Sequence, residues 1–113
     1  MDNPATHVKG LLFAVDGNIS VIEIPKENSL EALQNHVGGL IELLRLPHNT
    51  DCYINEEGKL IGLPMNPVAL GAFNFLGGQL FAGDFISGPM VMIGHDGEGN
   101  VADLTPDLLS AFG

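Results

Sequence analysis

The chain has 113 residues, 45% of them apolar, so it holds enough material for one buried core and too little for two. Fourteen carboxylates stand against Lys9, Lys26, Arg45 and Lys59, a formal charge of −10 that repels nucleic-acid backbones and anionic membranes and attracts cations or basic proteins. Cys52 is the only cysteine, which excludes an intrachain disulfide and a cysteine-built zinc site and suits a reducing cytoplasm.

The first residues, Met1-Asp2-Asn3-Pro4, lack the basic and apolar blocks of a secretion signal. Residues 1–7 read as a loose segment ahead of a single domain spanning 1–113. Gly10 to Val15 is an apolar run, Asp16-Gly17-Asn18 a turn, and Ile19 to Ile24 an alternating strand closed by Pro25, which together predict a β-hairpin. Asn28-Ser29-Leu30-Glu31 predicts a helix start of the capping-box kind, with Leu30, Leu33 and Val37 on the buried face and Gly38-Gly39 as the stop.

Leu40 to Leu46 predicts a third strand ended by Pro47. Cys52 to Asn55 and Leu60 to Leu63 flank Glu56-Glu57-Gly58-Lys59, which predicts a second hairpin. Pro67 opens a helix running to about Leu76, stopped by Gly77-Gly78. Phe85 to Ile93 reads as a strand with a kink at Gly88-Pro89, and His95 to Asn100 as a polar turn. Thr105-Pro106-Asp107 starts a last helix. The expected class is α+β: a mostly antiparallel sheet with two β-hairpins and three short helices packed on it. The uncharged stretch from Leu60 to Gly83 is broken by prolines, glycines and asparagines, so it is not read as a membrane span.

No catalytic constellation emerges. Cys52 sits on an expected strand, where a small buried hydrophobe is ordinary. His7, His36, His48 and His95 fall one to a segment, without the i,i+4 pairing of a metal site; His36 suits the negative end of its helix. Asp96, Glu98 and Asn100 imitate the start of a calcium loop, but Val101 stands where the sharp bend needs glycine, so an acidic turn is the preferred reading. The glycines lack the strand–loop–helix setting and following lysine of a phosphate loop. Arg45, the sole arginine, either forks onto an anion in a groove or pairs with a surface acid. No cofactor and no metal site are expected.

From Val8 onward the chain resembles an uncharacterised family, the domain of unknown function DUF3846, found in phages, plasmids and their bacterial hosts. The likeness is carried by Val21-Ile22-Glu23-Ile24-Pro25, Leu30 to Gln34 and Val37 to Glu42. It continues through Tyr53-Ile54-Asn55-Glu56-Glu57-Gly58-Lys59-Leu60, Gly62-Leu63-Pro64, Asn66, Gly83 to Ile86, Gly88-Pro89 and Leu104 to Asp107. Family members usually follow the asparagine with one or two basic residues and alanine, whereas Pro67 and Val68 stand here. The resemblance implies a mobile-element setting rather than a reaction.

Two functions suit that setting. In the first, the protein is a non-enzymatic small-ligand binder, an oligomeric sponge for a nucleotide signal of host defence, acting in anti-defence. Its pocket is expected from Arg45, Tyr53, Asn55, Asn66 and Asp84: tyrosine to stack on a base, asparagines to read its edge, a carboxylate for ribose hydroxyls. In the second, an acidic DNA mimic, or another protein-binding inhibitor, occupies the basic cleft of a host nucleic-acid enzyme, with Glu23, Glu27, Glu31, Glu42, Glu56 and Glu57 among the mimicking charges, which would need a ribbon spacing of about 3.4 Å per strand step or a multiple of it. Fourteen acids are few for such a ribbon, so the ligand reading is preferred, with a purely structural role as a third possibility. In each case the protein is expected to be cytoplasmic, to make no direct nucleic-acid contact and to form a homo-oligomer. Phe73, Phe75 and Phe81 are candidates for an interface or for the core.

Overall fold

A computed structural model describes residues 6–113. The elements run β1 (His7–Phe13), β2 (Ile19–Pro25), α1 (Ser29–Val37), β3 (Ile41–Leu46), β4 (Thr50–Asn55), α2 (Pro67–Phe75), β5 (Met90–His95), β6 (Val101–Ala102) and α3 (Pro106–Phe112). The strands form one antiparallel sheet in the order β2-β1-β5-β4-β3, with the two-residue β6 paired to the end of β5. The fold is α+β. Of the expected loose segment 1–7, residues 1–5 lie outside the described residues. His7 already belongs to β1, and the Thr6 carbonyl accepts from the Lys26 amide at 2.9 Å.

The β1–β2 hairpin forms where its turn residues place it. Phe13 pairs with Ile19, Gly17 takes a left-handed φ of 93°, and the Asp16 carboxylate accepts from both the amide and the side chain of Asn18. The second hairpin is a correction. It joins β3 to β4 through Pro47-His48-Asn49, where His48 and Asn49 both adopt positive φ (63° and 57°). Leu60 to Leu63 is not a strand: Ile61 N–H bonds to the Glu57 carbonyl and Leu63 N–H to that of Gly58, winding the segment into successive turns. The last long strand likewise starts at Met90 rather than Phe85, since the residues up to Pro89 form a loop anchored by a single bridge between Met65 and Ser87.

Alternation divides the sheet into two buried faces. On one, Leu11, Phe13, Cys52, Ile54, Met90 and Met92 pack beneath α2, α3 and the loop after α2. On the other, Val8, Ile24, Val91 and Ile93 pack against Leu33 and Val37 of α1. Each large side chain fully buried in this way contributes about 1.5–3 kcal/mol. Phe112 of α3 meets Phe13 edge-on, with ring centroids 5.8 Å apart. Phe73 belongs to this core, its ring lying where a Cβ on Gly78 would sit, whereas Phe75 and Phe81 are 82% and 89% exposed. The three candidates thus divide between core and surface.

The helix ends also separate expectation from outcome. Asn28 is left-handed (φ 63°) and its side chain makes no cap bond, so the expected capping box does not form; Ala32 N–H bonds instead to the Asn28 carbonyl. Leu30, expected on the buried face, is 55% exposed. Gly38 closes α1 in the left-handed conformation with its N–H on the Gln34 carbonyl, and His36 occupies the last turn. Thr105 caps α3, with Pro106 in the first turn and Asp107 near the positive end.

Candidate functional site

The five residues expected to form one pocket are distributed over four places. Asn66 is 1% exposed and fully committed: its side-chain N–H groups donate to the carbonyls of Phe13 and Gly88, both at 3.0 Å, and its oxygen accepts from Ala69 N–H as the cap of α2. It joins β1, α2 and the entry to β5, and has no free donor to offer a ligand. Asn55 is similarly engaged, donating to the Val37 carbonyl at the end of α1 and accepting from Glu57 N–H. Gly39 gives it room, since a Cβ there would lie 2.9 Å from the Asn55 side-chain nitrogen.

Arg45 pairs with Asp51 directly opposite it on β4, Nε donating to Oδ1 at 3.2 Å. The guanidinium side is 63% exposed, while the Asp51 side chain is only 3% exposed. The acid is therefore not the surface partner expected. His95 Nδ1 lies 3.1 Å from the same carboxylate oxygen without forming a hydrogen bond. Spacing does hold a signal for Asp51: it shares a face of β4 with Tyr53 and Asn55, two and four residues on.

Asp84 lines a cleft of about 280 Å³ with Asn55, Lys59, Glu42, Glu56 and Phe85 among its walls. The Lys59 ammonium bonds the Asp84 carboxylate and stands 4.9 Å from the centre of the Phe85 ring. That bond, with the Phe85 backbone N–H, holds the Asp84 carboxyl below its ordinary range. The only cation here is already neutralised, and two further acids face the space. The cleft does not favour an anion.

Tyr53 lies elsewhere. It forms part of a cleft of about 410 Å³ bounded by the start of α1, the sheet and the 96–100 turn, with Lys26, Ser29, Leu30, Ile41 and Asn100 around it. Burial, then the Asp51 charge, push the Tyr53 hydroxyl above its usual value, opposed by Arg45. Asp96 at the rim spends its oxygens on the turn itself, accepting from the amides of Glu98 and Asn100 and from the Asn100 side chain. Those bonds hold its carboxyl below the normal range and make this segment the acidic turn that its glycines suggest. Lys26, Ser29 and Asn100 were not among the expected site residues. Only the crossing of α1 from β2 to β3 brings them to Tyr53, and no local motif marks that meeting.

Residues 8–113 match the family described as Domain of unknown function (DUF3846). The chain belongs to the DUF3846 family. No curated protein and no solved structure was found to match it. Other features of this DUF3846 chain bear on chemistry. The Cys52 thiol, wholly buried, is pushed up to about 12 by burial and by neighbouring Asp51. Among the described residues no helix is long and apolar enough to cross a membrane. The acids Glu23 and Glu42 lie on β2 and β3, opposite edges of the sheet, while Glu31 rides on α1 and Glu56 and Glu57 sit beyond β4.

Proposed function

We propose that this DUF3846 protein is a non-enzymatic binder of a small, planar, anionic ligand of nucleotide type, taken up in the cleft between α1 and the 96–100 turn. One observation carries the reading: the cleft joins the only tyrosine of the chain to Lys26 and Ser29 at the start of a helix. The Tyr53 ring offers a face to a base, Lys26 and the positive end of α1 a charge to one phosphate, and Ser29 and Asn100 hydroxyl and amide partners to a sugar. The volume lies within the roughly 300–1,000 Å³ of small-molecule pockets.

Binding rather than catalysis is favoured because the cleft walls contain neither histidine nor cysteine, and Cys52 is a protonated core thiol. The family's mobile-element setting makes a nucleotide signal of host defence the ligand class to try first. The rival reading, an acidic mimic of DNA that binds a basic host protein, rests on net charge alone and gains nothing from acids spread over both edges of the sheet.

The test is calorimetric titration with mono-, di- and cyclic nucleotides against wild type, Lys26→Ala and Tyr53→Ala. We expect at least one nucleotide to bind, with Lys26→Ala weakening it about tenfold, as loss of one charge-assisted contact implies. No heat with any nucleotide, or binding unchanged in both variants, contradicts the assignment.

A further inference from the structure

The cations of this chain are few and differently used. Arg45 and Lys59 are spent on Asp51 and Asp84, whereas Lys26 makes no ion pair among the described residues, although the chain carries fourteen carboxylates. Lys26 lines the cleft beside α1, and Asp96 lines the same cleft; among the described residues these two are its only charged side chains. The positive end of α1 adds a fraction of a charge, and Glu31 already stands in that first turn.

Asp96 is a fixed charge. Its oxygens accept from the amides of Glu98 and Asn100 and from the Asn100 side chain, all neutral donors, so the bonds orient the carboxylate without cancelling it. They also hold its carboxyl below the ordinary range, which keeps it ionised at neutral pH. The cleft therefore balances one positive against one negative charge before a ligand enters. A ligand with a single negative charge answers Lys26. Every further charge meets Asp96 and the −10 of the whole chain. A phosphomonoester carries about −1.5 to −2 at neutral pH and a polyphosphate more, whereas a phosphodiester has no second proton to lose and carries one charge.

On the reading of this cleft as a nucleotide site, we propose that Asp96 sets its specificity: the site takes a phosphodiester with one negative charge, a cyclic nucleotide, and turns away phosphomonoesters and polyphosphates of the same base. Lys26 supplies the attraction that any phosphate feels, and Asp96 supplies the repulsion that grows with the ligand's charge. Discrimination of this kind needs an unfavourable element as well as a favourable one, and the cleft holds one of each.

Calorimetric titration of the full chain, in metal-free buffer at low ionic strength, tests this with the cyclic monophosphate, monophosphate and triphosphate of each base in turn. Wild type is expected to bind the cyclic form about tenfold more tightly than the triphosphate, with the monophosphate between them, and added salt to narrow the gap. Asp96→Asn keeps a side-chain oxygen for the amides of the turn and is expected to bring the triphosphate within about threefold of the cyclic form. Glu98 is exposed and outside the cleft wall, so Glu98→Gln removes a charge from the same turn and leaves the wild-type order unchanged. A triphosphate or monophosphate that binds wild type as tightly as the cyclic form, and loses affinity in Lys26→Ala, overturns the charge limit while the cleft stands as a nucleotide site. A preference for the cyclic form that survives Asp96→Asn, or that Glu98→Gln relaxes equally, takes the role from Asp96 and overturns the proposal too. No heat from any nucleotide overturns both the specificity and the site.

Discussion

Tyr53 and Cys52 are neighbours on β4 whose side chains enter opposite faces of the sheet, and both are shifted in the same direction. Cys52 keeps its proton to about 12, against an ordinary 9.0, because burial strips a thiolate of its solvation and the charge of the adjacent Asp51 opposes it. Between those values the unfolded thiol is ionised and the folded one is not, so unfolding releases a proton. Stability is therefore complete below about 9 and falls as pH rises, by up to roughly 1.4 kcal/mol per unit. Tyr53, raised from 10.0, adds a loss of the same sign at higher pH. Urea midpoints measured upward from neutral pH are expected to fall across this range, and less steeply for Cys52→Ala; a flat profile contradicts the buried thiol. The burial of Cys52 was legible from its residue type and strand position. The pairing of Arg45 with a buried acid was not, because opposite positions on β3 and β4 depend on a turn whose left-handed residues are histidine and asparagine. Neither carries the glycine that advertises such a hairpin.

At the scale of elements, Asn66 acts as a structural tie: it caps α2 and joins that helix to β1 and to the loop before β5. Asn66→Ala removes the cap and strands two carbonyls, which is expected to cost about 3 kcal/mol of stability. Chemical denaturation measures that loss; a variant as stable as wild type shows that the three bonds are not what the asparagine provides. The helices themselves were readable from prolines, glycines and apolar spacing. The start of α1 was not, since Asn28 turns left-handed instead of capping, and Leu30 consequently faces the cleft rather than the core. Leu60 to Leu63 misled for a related reason. A short apolar run between turn residues reads as a strand, yet Gly58 and Gly62 let the chain wind into turns that expose Leu60 and Ile61.

For the whole molecule, the class, the antiparallel sheet and the use of both its faces follow from alternation and from turn residues. The cleft does not, because it exists only where α1, crossing between the two sheet edges, meets the far turn. Of the expected site, Tyr53 alone lies there. Ligand recognition is proposed for the face of the sheet that α1 covers. Native mass spectrometry of gently purified wild type beside Lys26→Ala and Tyr53→Ala examines the central claim most directly. A stoichiometric extra mass of nucleotide size is expected on the wild type, reduced or lost in both variants. A wild type without bound mass, even after incubation with nucleotides, or a bound mass retained equally by both variants, contradicts it.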